Sequence, residues 1–194
     1  MTGFSFAPLA PAAIIEAAWV VFAAYWLWAA RDQKRVRQRE SVLARLTHVI
    51  FMAFGFVLLY SRDPRFAALN RRFLPDWRWI QMLGALLTAV GVAFAIWARR
   101  HIGKNWSAQV TIRKEHDLIR TGPYAHIRHP IYTGLLFAIA GTAIAIGEYR
   151  ALLAFALVFV GFAFKAKREE LLLTKEFGPA FDDHRRQTGF FLPR

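Results

Sequence analysis

The sequence contains no cysteine. Disulfides, thiolate nucleophiles and Cys-ligated metal centres are thereby excluded. A glycine-rich phosphate loop is also missing. No G-x-G-x-x-G or Walker-type motif follows a strand, and no alternating strand pattern is present to carry one. Any nucleotide-like cofactor must therefore bind in a non-Rossmann manner. The first apolar run has neither a basic n-region nor an Ala-x-Ala site after a short core, so it reads as a retained span and not a signal peptide. Acidic residues are few, with 13 Asp and Glu against 26 Lys and Arg and a net charge of +13. That imbalance does not point to nucleic acid. The basic residues fall mainly between apolar runs, where anionic lipid headgroups and positive-inside topology account for them. Internal repeats and low-complexity segments are absent.

What the sequence does have is apolar length. Of its 194 residues 56% are hydrophobic, and the charged 20% is clustered. Five apolar runs stand out: Pro11–Ala30, Leu43–Tyr60 (with Arg45 at its start), Trp79–Ala98, Ile131–Ile146 and Ala151–Phe164. The first three approach the ~20 residues that a helix needs to cross hydrocarbon. The last two are shorter and separated only by Gly147, Glu148, Tyr149 and Arg150, which predicts a tight helical hairpin. The expected fold is an all-α integral membrane protein of five transmembrane helices. It forms one domain over residues 1–194, with three N-terminal spans in 1–98 and a loop, hairpin and tail in 99–194. Twenty of the 26 Lys and Arg lie in the first loop, the third loop and the tail, which five spans place on one side. The positive-inside rule makes that side cytoplasmic and puts the N-terminus outside. The Ala- and Arg-rich composition hints at a bacterial inner membrane. Trp26, Trp28, Trp77 and Trp79 sit near span ends, as interfacial anchors do.

Chemistry concentrates in "RTGPYAHIRHPIYTG", Arg120 to Gly134, immediately before an uncharged run. Pro130 suits the first turn of a helix, where its missing N–H would be unpaired in any case. The start of that helix offers free N–H groups and partial positive charge to a carboxylate or phosphate. After the hairpin returns, Glu169 and Glu170 follow the last apolar turn, so they should approach His129 and Tyr132. Anion donors on one wall and carboxylates on the other suit a ligand of mixed charge. His126 and His129 have a metal-compatible spacing, but no third ligand has a convincing position, and no metal is expected. Glu16, inside the first span, reads as a snorkelling or helix-contact residue, and His48 as a hydrogen-bonded structural histidine or a cavity residue.

From "HIGKNWS" (His101–Ser107) through "EHDLIRTGPYAHIRHPIYTG" (Glu115–Gly134) and "REELLLTKEFGPAF" (Arg168–Phe181) to "TGFFLP" (Thr188–Pro193), the chain resembles the isoprenylcysteine carboxyl methyltransferase family. It is similar to the small five-span prokaryotic members and, more distantly, to phospholipid N-methyltransferases. The resemblance covers roughly the C-terminal half. It implies a membrane methyltransferase that uses S-adenosylmethionine, bound on the cytoplasmic side between the third loop, the hairpin ends and the tail. It also implies a lipid-like or prenylated acceptor arriving from the bilayer. By motif, the cofactor-binding positions are Gln109, the stretch His116, Asp117, Leu118 and Ile119, then Tyr124, the run His129, Pro130, Ile131 and Tyr132, and Glu169. The position that contacts the acceptor carboxylate is typically arginine and here is Lys165, which keeps the charge and loses the two-pronged match. A carboxylate acceptor needs no general base. An amine acceptor would, and His129 or Glu170 would be the candidates. Phospholipid or small-amine N-methylation, an NADPH-dependent reduction of the kind catalysed by similar membrane reductases, and a non-catalytic scaffold stay open as alternatives.

Overall fold

A computed structural model describes residues 10–31, 42–103 and 118–194. Among the described residues six helices follow in order: α1 (Pro11–Ala29), α2 (Val42–Tyr60), α3 (Arg78–Ile102), α4 (Pro130–Ile146), α5 (Tyr149–Phe177) and α6 (Pro179–Gln187). Single 3-10 turns occur at Pro64–Phe66 and Gly122–Ala125. Among the described residues no strand forms; extended pairing is limited to two isolated bridges, Arg72 with Glu148 and Ile127 with Gly189. The helices start where the sequence allows it. Pro11, Pro130 and Pro179 occupy first-turn positions, and Gly147, at φ 67°, ends α4 in the left-handed region that a Cβ disfavours.

Helices α1, α3 and α5 are long and apolar enough to cross a membrane, while the apolar helices Leu46–Tyr60 and Pro130–Ile146 are shorter. The last apolar run was expected to be short, but α5 extends to 29 residues, or about 44 Å at ~1.5 Å per residue. Its additional turns, "KAKREELLLTKEF", consist mostly of strong helix formers, which carry the helix past the end of its apolar stretch. Glu169 and Glu170 are therefore helical and held rigidly. The burial pattern is that of a lipid-facing bundle. Large side chains such as Val20, Leu27, Trp28 and Val90 are exposed, while the interior is built from small ones, including Ala85, Ala95, Ala98, Ala138 and Ala154.

Helices α3 and α4 make the closest approach. A Cβ placed on Gly84 would lie 2.5 Å from the Gly141 carbonyl oxygen, and one on Gly134 would lie 2.6 Å from the Ala95 nitrogen. Glycine is required because the obstacle is backbone. Within this seam the Thr88 hydroxyl is 3.1 Å from the Ala138 carbonyl and 3.2 Å from the Thr142 hydroxyl, and Trp19 on α1 donates to Thr142 at 3.2 Å.

At the α4–α5 turn, the segment after α2 folds back over the junction. Phe73 N–H donates to Gly147 O (2.8 Å), Tyr149 N–H to Arg71 O (3.1 Å) and Arg150 N–H to Leu69 O (2.8 Å). The Arg150 side chain bonds Glu148 at 2.7 Å and reaches the Leu58 and Leu59 carbonyls at 2.7 and 2.5 Å. Those carbonyls belong to the last turn of α2, which has no intrahelical donors for them. One buried guanidinium thus ties the end of α2 to the start of α5.

Candidate active site

The opposite end of α4 is assembled from four pieces of chain. The 3-10 turn at Gly122–Ala125 is fixed from α3: His101 Nε2 lies 2.9 Å from the Thr121 hydroxyl, and its ring stacks on Tyr124 at 6.4 Å. Gly122 (φ 58°) leaves no room for a side chain, since a Cβ there would lie 2.5 Å from the His101 ring. Next, the strand-like pairing of Ile127 with Gly189 brings the tail alongside: Arg128 N–H donates to Gly189 O (2.9 Å) and Gly189 N–H to His126 O (3.0 Å). The Thr133 hydroxyl reaches the Phe191 carbonyl at 2.7 Å. Helix α5 then delivers Glu169 and Glu170 to the start of α4.

The centre of the cluster is His129, which is 6% exposed and precedes the first residue of α4. Its Nε2 lies 3.2 Å from Glu170 Oε1 and its Nδ1 3.5 Å from Glu169 Oε2. Arg128 Nε bonds the same Glu170 oxygen at 2.5 Å and also reaches the Thr188 carbonyl, while the Tyr132 hydroxyl donates to Glu169. Burial opposes charge on His129, but its hydrogen bonds to Glu169 and Glu170 outweigh that penalty, and its pKa lies above the usual histidine value. Burial, helped by the Glu169 charge, pushes the Tyr124 hydroxyl upward, so it stays protonated.

The rings around this cluster form a ladder across the helices. His129 stacks on Tyr132 at 5.7 Å, Tyr132 on Phe162 at 4.9 Å, and Phe162 lies 5.8 Å from His48. Phe190 meets the other side of His129 edge-on at 5.0 Å. Lys165 stands over Tyr132, its ammonium 5.8 Å from the ring centroid.

The structure therefore gathers His129, Tyr132, Glu169, Glu170 and Lys165 at one place. Pro130 and Ile131 are buried in the first turn of α4, Tyr124 is buried beside them, and Leu118 and Ile119 are half-buried on the approach. Gln109, His116 and Asp117 lie outside the described residues. His126 faces outward while its i+3 neighbour His129 is buried, so the pair does not converge, and among the described residues no three His, Asp or Glu side chains form a metal-ligating group. His48 shares the ladder with the site, a placement its sequence position left open. Sequence reasoning missed Phe162 and Phe190 as walls of this cluster. Phe190 lies in "TGFFLP", where the paired aromatics were the available signal, whereas nothing in the apolar run of α5 distinguishes Phe162.

In chemical terms, the site holds two fixed carboxylates that can face cationic groups. Beside them the start of α4 has no side-chain cap, leaving the N–H groups of Ile131 and Tyr132 for an anion. A lysine stands one helical turn from Glu169. That donor set fits a molecule with cationic and anionic ends.

The model of the isoprenylcysteine carboxyl methyltransferase family matches residues 82–175, from within α3 to near the end of α5. The nickel-cobalt-cadmium resistance protein NccN of Alcaligenes xylosoxydans xylosoxydans is 36% identical over 127 residues, or 61% of this chain, which spans about half (54%) of that relative's length. A probable protein-S-isoprenylcysteine O-methyltransferase of Oryza sativa subsp. indica is 27% identical over 191 residues, covering 95% of this chain and 96% of that one. Among solved structures, the eukaryotic intramembrane Ras methyltransferase ICMT superposes with a TM-score of 0.61 at 23% identity, over 97% of this chain and 69% of that chain. At that identity the likeness establishes the fold.

Proposed function

We propose that the chain, matched over residues 82–175 by the isoprenylcysteine carboxyl methyltransferase family model, is a member of that family and a membrane methyltransferase acting on a lipid-like carboxylate with S-adenosylmethionine as donor. The observation that carries the carboxylate is the engagement of every candidate base. Both ring nitrogens of His129 face carboxylates, Glu169 accepts from Tyr132, and Glu170 is paired with Arg128. An ammonium acceptor would have to lose a proton first, and among the described residues each candidate base at the site is already engaged. A carboxylate is already ionised at neutral pH.

In this reading α1 to α5 all span, α4 and α5 form the hairpin, and the His129 end is cytoplasmic, within a single domain. When bound, S-adenosylmethionine would supply an electrophilic methyl group on a sulfonium; a carboxylate oxygen would form the ester C–O bond as the methyl C–S bond breaks and the sulfur leaves as a neutral thioether, with no proton to move. The protein's part is then placement and exclusion of water. Glu169 would face the cofactor's cationic groups. The first-turn N–H groups of α4 at Ile131 and Tyr132 would hold its carboxylate, and Tyr132 holds Glu169 in position. Tyr124, Leu118 and Ile119 line the approach, and Gln109, His116 and Asp117 are assigned to the cofactor by motif alone. Lys165 holds the acceptor's anion one turn along the same face of α5. His129, held between two glutamates that favour its charged form, orients them and does not act as base.

Calorimetric titration of the detergent-purified protein with S-adenosylmethionine and, separately, NADPH tests the donor. Methyl transfer to a farnesylated cysteine and to an amine lipid tests the acceptor. We expect S-adenosylmethionine binding and ester formation, with Lys165→Ala raising the acceptor's KM while leaving cofactor affinity unchanged. NADPH binding alone would make the protein a reductase. Binding of neither would make it a scaffold, and transfer to the amine alone would overturn the carboxylate reading.

A further inference from the structure

Helix α3 presents two unlike faces. Toward α4 it places Gly84 and Gly91, and the backbones meet. Toward α1 it places Ala89 and Ala93, and between these and Ala13, Ala17 and Ala18 of α1 lies an open groove of about 640 Å³, within the ~300–1,000 Å³ typical of small-molecule sites. Residues two apart on a helix point to nearly opposite sides. Gly91 thus faces α4 while its neighbours at 89 and 93 face the groove, and α3 itself separates the groove from the site at the start of α4. Helix α1 is not free to close the gap. It is pinned by Trp19 to Thr142 on α4 and by its Ala29 carbonyl to Arg99 at 3.2 Å, and the bulky Trp19, Phe22 and Trp26 stand on its core-facing side.

One charged residue lines this apolar groove. Arg100 is exposed, lies in the last turn of α3 and, among the described residues, has no ion-pair or hydrogen-bond partner. Its neighbour Arg99 is buried and engaged with the carbonyls of Ala29 and Gly103, so the fold uses Arg99 and leaves Arg100 outside. Trp97, half-exposed beside it, is the side chain expected at headgroup level. An apolar volume left unfilled loses its dispersion contacts, and in a bilayer the available filler is hydrocarbon. A hydrocarbon chain that ends at an unpartnered guanidinium calls for an anionic head.

We propose that the α1–α3 groove is a binding site for one acyl chain of an anionic phospholipid, whose phosphate is held by Arg100. A phosphate diester is ionised at every physiological pH and matches the guanidinium fork in two-pronged geometry. The lipid completes the lateral wall of α3 that α4 completes on the other side.

The test compares wild type, Arg100→Gln, Arg100→Lys and the groove-filling Ala17→Leu in phosphatidylcholine nanodiscs, with and without phosphatidylglycerol. Thermal stability is read in the discs, and the lipid retained after detergent purification is measured alongside. Wild type should gain melting temperature with phosphatidylglycerol and retain it stoichiometrically. Arg100→Gln and Ala17→Leu should lose both gain and retention, and Arg100→Lys should recover part of each. Ala17→Leu alone should also melt higher in phosphatidylcholine, which marks it as folded. An undiminished gain in both loss variants overturns the site. Stoichiometric displacement of retained phosphatidylglycerol by a farnesylated cysteine carboxylate overturns the phospholipid as its occupant.

Discussion

Both ends of α4 and α5 carry an arginine bonded to a glutamate, and the two pairs serve different purposes. At the turn end, Arg150 and Glu148 are joined by carbonyls of α2 and by backbone bonds from residues 69–73, so almost every polar contact there fastens one stretch of backbone to another. At the other end, Arg128 and Glu170 are joined by a histidine, a second glutamate and a ring stack, and Lys165 stands nearby. The first arrangement has a single solution. The second contains side chains that titrate and carboxylates that a cationic ligand can share. Polar groups fixed to backbone hold a membrane bundle together, whereas polar groups fixed to one another can be re-partnered by what binds.

The largest expected effect lies at the turn end. Arg150→Ala leaves Glu148 without its close partner and strips the end of α2 of its donor, which should cost about 3–5 kcal/mol of stability in a detergent unfolding titration. Cofactor affinity of the fraction still folded should not change. A variant of wild-type stability would remove the contrast between the two ends.

Next in size, Glu169→Gln should weaken S-adenosylmethionine binding by roughly 1.5–3 kcal/mol, the value of a hydrogen bond to a charged group, with the fold retained. The amide can still accept from Tyr132, so calorimetry isolates the charge. Equal affinity for both proteins would return Glu169 to a purely structural role.

The smallest effect is a slope. Because His129 has a raised pKa in the folded protein, the folded state holds a proton that the unfolded chain releases. Its contribution is fully present below the unfolded value of about 6.5 and is lost as pH rises through the higher folded value. Stability should decline more steeply over that window in wild type than in His129→Gln. Superimposable profiles would mean that the imidazole is neutral between its two glutamates.

The sequence revealed these regions unequally. Apolar runs announce helices, and the four residues between the last two runs were enough to bring His129 and Glu169 together, because a short turn forces its flanking ends to be neighbours. The charged extension of α5 was not visible in hydropathy, since Lys165 to Glu170 could equally have left the helix at a membrane surface. The Arg150 clasp was hidden for another reason: its acceptors are backbone carbonyls 92 and 91 residues away, and a carbonyl leaves no mark in a sequence. Phe162 and the alanine groove depend on which side of a helix faces which neighbour. Neither the continuous apolar run of α5 around Phe162 nor the almost wholly apolar α1 encodes that. The cofactor positions rested on motif resemblance, because Ile131 or Tyr124 taken alone would read as ordinary core.

The glycine seam between α3 and α4 has a genetic consequence. At Gly84, Gly134 and Gly141 an added methyl group would meet backbone atoms of the opposite helix at 2.5–2.6 Å. A clash with a side chain can be relieved by shrinking that side chain, but one with a carbonyl or an amide nitrogen cannot. Loss-of-function alleles at these positions should therefore have no intragenic suppressors at the facing residue, and reversion to glycine should dominate any selection for recovery. The same selection applied to Ala17 or Ala93 should yield many compensating alleles, because the α1–α3 gap is bounded by side chains. The distance between α3 and α4 is in this sense a heritable constant of the molecule, and the width of the groove beside them is free to drift.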